Sequence, residues 1–179
     1  IAEGAPRQMP SGLWSQPGVF SWERLDSGSE LLLKHLPKLK GQGTDLGAGI
    51  GWLSRAVLTS PDVTKLRIIE LDRRAYDCAR RNIEDERATI EWADVRNVAP
   101  PLADLDFVVM NPPFHDGGAE DRALGQAFIR VASSALRKGG TLWLTANRHR
   151  PYETVLNEAF KVVKPVADAS GFKIYEARR

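Results

Sequence analysis

The sequence predicts an α/β fold in which a mostly parallel sheet carries helices on both of its faces. Short apolar, β-branched runs alternate along the chain with segments whose apolar residues recur at helical spacing. A glycine cluster, DLGAGIG, directly follows the first of these runs. Alternation of this kind is typical of strand–helix–strand units in a parallel sheet. We therefore expect ligands to bind outside the carboxyl ends of the strands, where the strand order reverses.

The composition agrees with one globular domain. The 179 residues are 42% hydrophobic and 27% charged, which excludes a disordered or fibrous chain. No run approaches the roughly 18 apolar residues of a membrane span, and no signal peptide is recognisable, so a cytoplasmic protein without membrane contact is predicted. The only cysteine, Cys78, permits neither an internal disulfide nor a cysteine zinc cluster. We interpret it as a small apolar residue of a helix.

The chain divides into a lead-in and a domain. Residues 1–24 are rich in glycine, proline and serine, and predict an irregular lead-in or linker that carries the motif PGVFS. Residues 25–179 hold the alternating elements. A first helix is predicted from Asp26 or Ser27, as the N-cap, to about Leu36.

The later strands and helices are predicted from the same patterns of apolar residues and helix ends. Strands are predicted at residues 44–46, 65–71, 88–93, 106–111, 141–146, 162–166 and 172–177. Helices are predicted at residues 52–59, 73–84, 121–136 and 152–160. Gly139 and Gly140 are expected to end the third of these helices, because glycine is common just beyond a helix C-terminus.

Three glycines, Gly47, Gly49 and Gly51, lie between the first predicted strand of the sheet and a helix. This position suits a nucleotide-like ligand, since glycine lets the backbone approach closely and a helix N-terminus offers unpaired N–H groups. The dinucleotide fingerprint G-x-G-x-x-G would need its third glycine at Trp52. The spacing disfavours an NAD-dependent dehydrogenase and favours a ligand without a pyrophosphate.

Three carboxylates are expected at the ends of successive strands. Asp45 lies just ahead of the glycine loop, where it favours a ligand with a cationic amine. Glu70 ends the second strand and suits the two hydroxyls of a ribose, with Asp72 as the second candidate. Asp94 follows the third strand and suits an exocyclic amine such as adenine N6. Each alone is an ordinary turn or strand-end residue, but together they describe S-adenosylmethionine.

The fourth strand ends in NPPF, residues Asn111, Pro112, Pro113 and Phe114. We expect the Asn111 side-chain oxygen and the Pro112 carbonyl to accept the two hydrogens of a planar amine. The prolines fix φ and remove competing N–H donors. Phe114 would stack on a base that has been flipped out of its helix. Taken alone, the tetrapeptide is also compatible with a rigid turn.

These motifs together resemble a known family. DLGAGIG, IIELD, WADV and NPPF are similar to the motifs of class I S-adenosylmethionine-dependent methyltransferases. PGVFS, LDSGSELLL, NPPFHDG, ANRHRPYE and GFKIYEA resemble, in this order, motifs of the bacterial ribosomal RNA guanine-N2 methyltransferases of the RsmC and RlmG type. The resemblance runs from about residue 13 to the end of the chain.

The resemblance implies a Rossmann-like methyltransferase fold, with a seven-stranded sheet in the order 3-2-1-4-5-7-6 whose last strand is antiparallel. It implies methyl transfer from S-adenosylmethionine, without a metal, to guanine N2 of small-subunit ribosomal RNA, with that RNA or a ribosomal subunit as the partner. The family usually carries a second, degenerate methyltransferase-like domain before the catalytic one. This chain would then match the catalytic half, although a naturally short relative fits equally well.

The resemblance also implies functional residues. The expected cofactor contacts are Asp45, Gly47, Ala48, Gly49, Glu70, Leu71, Asp94, Val95 and Asn111. The expected catalytic residues are Asn111, Pro112, Pro113 and Phe114, and the expected substrate contacts are Phe20, His115, Arg148 and Arg150. Phe20 and Ser27 would line the methionine end of the pocket. For His115, loop shaping or substrate contact is a better interpretation than proton transfer.

Two residues depart from the family pattern, because Arg150 replaces an apolar residue and Glu70 stands where aspartate is commoner. Three alternatives remain open. The first two are methylation of adenine N6 in RNA or DNA and methylation of a protein glutamine amide, since both acceptors present a planar amine. The third is a non-catalytic module that binds the cofactor or RNA. The sequence makes no prediction of the oligomeric state.

Overall fold

The computed structural model describes residues 4–112, 119–149 and 152–179. In chain order, the strands within these ranges are β1 (Arg7–Gln8), β2 (Trp14–Ser15), β3 (Gly41–Leu46), β4 (Val63–Glu70), β5 (Ala88–Trp92), β6 (Leu105–Met110), β7 (Leu136–Asn147), β8 (Val162–Ala169) and β9 (Phe172–Arg178). The helices are α1 (Ser27–His35), α2 (Trp52–Val57), α3 (Arg73–Asn82), α4 (Ala119–Ala135) and α5 (Glu153–Ala159). No helix in the described ranges is long and apolar enough to cross a membrane.

The seven strands β3 to β9 form one sheet in the order β5-β4-β3-β6-β7-β9-β8. Neighbours from β5 to β7 run parallel, whereas β9 is antiparallel to both β7 and β8. Counted from β3, this is the expected order 3-2-1-4-5-7-6, so the predicted fold is confirmed. The chain leaves β3 toward β4 on one side and later returns to β6 on the other. The strand order therefore reverses between β3 and β6.

Strand β6 shows why the sheet is buried on both sides. Val108 and Met110 belong to the core beneath α4 and α5, whereas Phe107 and Val109 belong to the core beneath α1 and α2. All four side chains are at most 2% exposed, since alternate residues of a strand point to opposite faces. Burying each of them stabilises the fold by roughly 1.5–3 kcal/mol. The uninterrupted apolar run is therefore that of a central parallel strand, as predicted.

The predicted role of Gly139 and Gly140 as a helix end is wrong. α4 ends at Ala135, and β7 begins at Leu136, which pairs with Leu105 of β6. Both glycines thus lie inside β7. Gly139 has a φ of 79°, and a Cβ on Gly140 would lie 2.8 Å from the Leu105 carbonyl oxygen. The two glycines permit an irregular strand start close to a neighbouring backbone.

The lead-in is more ordered than its composition predicts. β1 and β2 pair as a short antiparallel hairpin. Leu13 and Val19 are buried with Cys78 of α3, in agreement with the apolar role predicted for this cysteine. Asn82, the last residue of α3, accepts a hydrogen bond from Trp14 N at 2.6 Å and donates one to Trp14 O at 2.9 Å. The described part of the lead-in therefore packs on α3 and does not form a free linker.

Candidate functional site

The candidate site lies at the carboxyl edge of the sheet, where β3, β4, β5 and β6 end. The glycine loop at residues 47–51 follows β3, Glu70 ends β4, Asp94 follows β5 and Asn111 follows β6. Parallel pairing places these strand ends side by side. The structure thus brings the predicted residues to one edge, on both sides of the point where the strand order reverses.

The glycine loop leaves space for a ligand at one of its positions. Gly49 has a φ of 60°, and a Cβ built there would meet no heavy atom within 4 Å. Gly51, with a φ of 104°, is the N-cap of α2, and a Cβ there would lie 2.8 Å from Ile83 Cδ1. Gly49 therefore borders open space, while Gly51 allows close packing at the end of α3.

Asp45 is a buried carboxylate with an incomplete set of partners. Its Oδ2 accepts a hydrogen bond from Ser54 Oγ at 2.6 Å, and its Oδ1 has no partner among the described residues. Burial disfavours the charged form and raises the pKa of Asp45 to about 7. A buried acceptor without a donor costs about 1–3 kcal/mol. Asp45 is 0% exposed, so its contact with the cationic amine of a ligand stays a prediction.

Glu70 holds the glycine loop against the start of α3. Its two carboxylate oxygens accept hydrogen bonds from the N–H groups of Gly49 at 2.6 Å and Asp72 at 2.8 Å. Burial raises the pKa of Glu70. A carboxylate has about four acceptor positions, so positions remain for ribose hydroxyls. Asp72 instead caps α3 and pairs with the Arg74 guanidinium at 2.8 Å, which leaves Glu70 the better candidate.

An apolar surface lies near Glu70 and Asp94. Leu71 is 60% exposed and Trp92 is 54% exposed, and the Trp92 indole N–H donates to Leu71 O at 2.8 Å. Asp94 accepts hydrogen bonds from the Arg96 side chain and backbone N–H, and this side-chain bond holds the pKa of Asp94 below its usual range. The Arg73 guanidinium lies over the Trp92 ring, 4.8 Å from its centroid. The exposed Leu71 side chain beside hydrogen-bond acceptors suits the face and edge of a base.

Other predicted cofactor contacts have a role in the fold itself. The N–H groups of Gly47 and Ala48 donate to Ile69 O at 2.9 and 3.0 Å, which fastens the start of the glycine loop to β4. Val95 is buried in the core beneath α4. These residues shape the edge of the site through their backbone positions.

Asn111 directly follows β6, and residues near the start of α1 hold its side chain. Its Nδ2 donates to Asp26 Oδ2 and to Ser29 Oγ, both at 3.0 Å. No described residue donates a hydrogen bond to its Oδ1. Both amide hydrogens are therefore used within the protein, which leaves Oδ1 as the group of this side chain that could accept a hydrogen bond from a ligand. The sequence indicated Asp26 only as a helix cap, because a bond across 85 residues leaves no local pattern.

Of the remaining predicted contacts, some lie within the described residues and others lie outside them. Outside the described residues lie Pro113, Phe114, His115 and Arg150. Pro112 is buried next to Asn111, and Phe20 is 57% exposed. Arg148 follows β7 at the carboxyl edge, where its Nε donates to Asp168 Oδ1 at 2.8 Å. Among the described residues, no group of three or more His, Cys, Asp or Glu side chains is placed to hold a metal ion.

Known proteins share the sequence pattern over most of this chain. The chain is 32% identical over 162 residues to ribosomal RNA small subunit methyltransferase C of Shewanella loihica, and 32% identical over 171 residues to its namesake from Shewanella piezotolerans. These alignments cover 90% and 94% of this chain but 47% and 50% of those proteins. The chain thus spans about half the length of the curated relatives it matches.

Solved structures and a family model agree with these relatives. The structure of the T. thermophilus 16S rRNA N2 G1207 methyltransferase (RsmC) in complex with AdoMet and guanosine matches with a TM-score of 0.82 and 30% identity, over 98% of this chain and 50% of that one. An S-adenosylmethionine-dependent methyltransferase from Mesorhizobium loti matches at 0.65 with 17% identity, over 86% and 98% of the two chains, which supports the fold alone. The family model described as "Methyltransferase small domain" matches residues 11–176. The resemblance indicated by the motifs is confirmed, and the chain belongs to the methyltransferase small domain family.

Proposed function

We propose that the chain carries the catalytic site of an S-adenosylmethionine-dependent methyltransferase that modifies guanine N2 in small-subunit ribosomal RNA. The observation that carries this proposal is Asn111, whose Oδ1 has no donor among the described residues and lies at the edge where β3 and β6 end. The names of the similar proteins support it. The curated relatives are ribosomal RNA small subunit methyltransferases, and the similar solved structure is that of a 16S rRNA N2 guanine methyltransferase.

The edge of the sheet has a group for each part of S-adenosylmethionine. Asp45 Oδ1, buried and without a described partner, suits the cationic amine. Glu70 has free acceptor positions for the ribose, and Leu71 and Asp94 offer an apolar face and an acceptor for adenine. Gly49 leaves room for the ligand to approach the backbone. Bound there, S-adenosylmethionine would supply an electrophilic methyl group on a sulfonium.

Asn111 and Pro112 would make the guanine amine reactive. An exocyclic amine is a poor nucleophile, because its lone pair is delocalised into the ring. If Asn111 Oδ1 and the Pro112 carbonyl each accept one amine hydrogen, the nitrogen is drawn toward tetrahedral geometry and its lone pair points toward the methyl group. Asp26 and Ser29 hold the Asn111 amide in place before the reaction, so its contribution is positioning and charge stabilisation.

Ribosomal RNA, free or within a subunit, is the partner that this function requires. The base must leave its helix before it can enter the site. Phe20 exposes an aromatic ring. Arg148 follows β7 at the same edge of the sheet as Asn111. Phe114, His115 and Arg150 remain predicted contacts. Stacking on an aromatic ring contributes about 1–3 kcal/mol per base. The second methyltransferase-like domain implied by the resemblance also stays a prediction.

A labelling experiment tests the proposal directly. The protein is incubated with methyl-labelled S-adenosylmethionine and either deproteinised small-subunit RNA or intact small subunits, and the products are digested to nucleosides. We expect label in N2-methylguanosine. Label only in N6-methyladenosine or only in protein would contradict the guanine assignment and favour one of the alternative acceptors. Binding of S-adenosylhomocysteine without any transfer would favour a non-catalytic module.

A further inference from the structure

The carboxylate of Asp26 connects three parts of the chain. Its Oδ2 accepts hydrogen bonds from Ser29 N at 3.1 Å, as the N-cap of α1, and from Asn111 Nδ2 at 3.0 Å. Its Oδ1 accepts a hydrogen bond from Ser21 Oγ of the lead-in at 3.1 Å. Ser21 has a φ of 57°, in the left-handed region that residues other than glycine rarely adopt. One carboxylate therefore links the PGVFS motif, the first helix and the proposed catalytic asparagine.

The contact determines which way the Asn111 amide points. An ionised carboxylate can only accept hydrogen bonds, so the Asn111 atom that faces Asp26 must be the nitrogen. Ser29 Oγ, on a side chain that is 4% exposed, accepts the second amide hydrogen. A rotation of the amide by half a turn would place its oxygen against the carboxylate and break both bonds. Hydrogen bonds to a charged acceptor are also stronger than neutral ones.

The hydrogen bond from Asn111 to Asp26 also affects the amide oxygen of Asn111. A hydrogen bond donated to a carboxylate polarises the amide group, which increases the negative charge on its oxygen. The Asn111 Oδ1 then becomes a better acceptor for an amine hydrogen. The arrangement thus fixes the direction of the acceptor and strengthens it.

We propose that Asp26 is a positioning residue for Asn111: its carboxylate, itself held by Ser21, orients the Asn111 amide so that Oδ1 faces the acceptor amine of the substrate. The proposal rests on the proposed function, because it assigns a reason for orienting Asn111. It also gives the PGVFS segment of the lead-in a role in the site.

Asp26 also caps α1, so the test must separate capping from positioning. Asp26→Ser keeps an N-cap side chain of a preferred type, but its hydroxyl is too short to reach both Ser29 N and Asn111 Nδ2. Asp26→Asn keeps an acceptor oxygen for both donors. We expect the serine variant to lower kcat about 10- to 100-fold, the scale of a small misplacement in an active site. The KM for S-adenosylmethionine should stay within about twofold. The asparagine variant keeps the acceptor oxygen but loses the charge, so its kcat should lie between those of the serine variant and the wild type.

A spectroscopic readout tests the contact without turnover. The chain has five asparagines, so labelling asparagine with ¹⁵N gives five pairs of side-chain amide signals, and Asn111→Ala identifies the relevant pair. In the wild-type protein we expect this pair to exchange slowly with water. In Asp26→Ser its exchange should accelerate at least tenfold, and in Asp26→Asn it should remain slow. A residue that only caps the helix would leave these signals unchanged, and that result would overturn the proposal.

Two further variants complete the design. Asp106→Asn is the matched control, since Asp106 accepts hydrogen bonds from Gln42 N and Arg137 Nε at the opposite end of β6, and it should change neither kcat nor the Asn111 signals. Ser29→Ala removes one acceptor while the Asp26 cap stays, so it tests the contact should Asp26→Ser fail to fold, and it should accelerate the exchange several-fold. If the wild-type protein methylates no RNA, the proposed function fails, and the Asn111 signals alone decide whether Asp26 positions this side chain.

Discussion

At the scale of single residues, the site combines side chains that the protein already satisfies with a few atoms left for a ligand. Glu70 and Asp94 accept hydrogen bonds from backbone N–H groups, which fixes their positions before a ligand arrives. Asp45 Oδ1 and Asn111 Oδ1 have no donor among the described residues. Preorganised acceptors reduce the ordering cost of binding. Substitution of Asp45 or Asn111 should therefore separate the contributions of cofactor and substrate.

Asp45 should make the ligand-free protein less stable as the pH rises. Its pKa is raised from 3.8 to about 7 by burial, so the folded state binds the proton more tightly than the unfolded state. This contribution to stability is complete below about pH 4 and is lost progressively as the pH rises to about 7. Asp45→Asn removes the titration and keeps an oxygen for Ser54 Oγ. In urea unfolding, the free energy of unfolding of Asp45→Asn should increase relative to that of the wild type as the pH rises. The increase should be at most roughly 4 kcal/mol at pH 8.

The ligand supplies the control for this prediction. S-adenosylhomocysteine carries the same cationic amine, so its binding should stabilise the wild-type protein at pH 8 more than it stabilises Asp45→Asn. A stability difference between the two proteins that does not change between pH 4 and pH 8 would show that Asp45 does not titrate in this range.

Asn111→Ala should abolish most of the turnover while leaving cofactor binding nearly unchanged. Removal of one preorganised hydrogen-bonding group from a reaction centre typically lowers kcat by about 10²- to 10³-fold. The dissociation constant of S-adenosylhomocysteine, measured by calorimetry, should change less than about twofold. Asn157→Ala, on the exposed side of α5, is the control and should retain wild-type turnover. An Asn111→Ala enzyme with unchanged kcat would remove the central residue of the proposed mechanism.

At the scale of elements, most of the sheet could be predicted because its strands carry strong local patterns. The run from Phe107 to Met110 is apolar without interruption, which only a strand buried on both faces requires. β7 was harder to delimit, since Leu136 joins the strand through pairing with Leu105 and not through its own neighbours. The two-residue strands β1 and β2 are too short to show a periodic pattern. Hydrogen bonds between the Asn82 side chain and the Trp14 backbone hold β2 against α3.

The pairing of β4 with β5 contains an ion pair whose loss should destabilise the fold. Arg67 Nε and Nη2 donate to the two Glu91 carboxylate oxygens at 2.9 and 2.7 Å, with side chains 12% and 20% exposed. Glu91→Ala leaves a mostly buried guanidinium without its partner, which costs about 3 kcal/mol or more. Urea unfolding of the ligand-free protein measures this loss.

The exposed ion pair between Arg73 and Asp77, with side chains 57% and 50% exposed, is the matched control for Arg67 and Glu91. Asp77→Ala should change the free energy of unfolding by less than about 1 kcal/mol. Replacing both Arg67 and Glu91 by apolar residues of similar volume should restore much of the loss. If Glu91→Ala were as mild as Asp77→Ala, the pairing of β4 with β5 would not depend on this contact.

At the scale of the whole molecule, the residues at the carboxyl edge of the sheet could be predicted, but the contacts that hold them in place could not. Parallel topology places strand ends together, so Asp45, Glu70 and Asp94 could be assigned to one edge from their positions in the sequence. The Asp26–Asn111 bond joins residues 85 apart. Asn82 in turn contacts Trp14 and Ile50, 68 and 32 residues away. Contacts of this range arise from the packed fold and leave no signal in a local pattern.

Asn82 links the lead-in to the glycine loop. The labelling rate of the Cys78 thiol can be used to measure how firmly the lead-in is held. The Asn82 side chain bonds Trp14 N, Trp14 O and Ile50 O, and the Cys78 thiol is buried beside Leu13, with a pKa raised by burial. Asn82→Ala should favour local opening of the lead-in by about 1–3 kcal/mol. Labelling of Cys78 by a thiol reagent should then accelerate roughly 5- to 100-fold, since about 1.4 kcal/mol corresponds to tenfold.

Local opening of the lead-in can be distinguished from global unfolding by comparing labelling with urea unfolding. If the lead-in opens locally, the Cys78 labelling rate in Asn82→Ala should rise more than the loss in global stability predicts. Asn157→Ala, remote from α3 in the chain, should label at the wild-type rate. Because Ile50 lies in the glycine loop, the dissociation constant of S-adenosylhomocysteine should also rise several-fold in Asn82→Ala. Unchanged labelling and binding would mean that the lead-in packs on α3 without supporting the site.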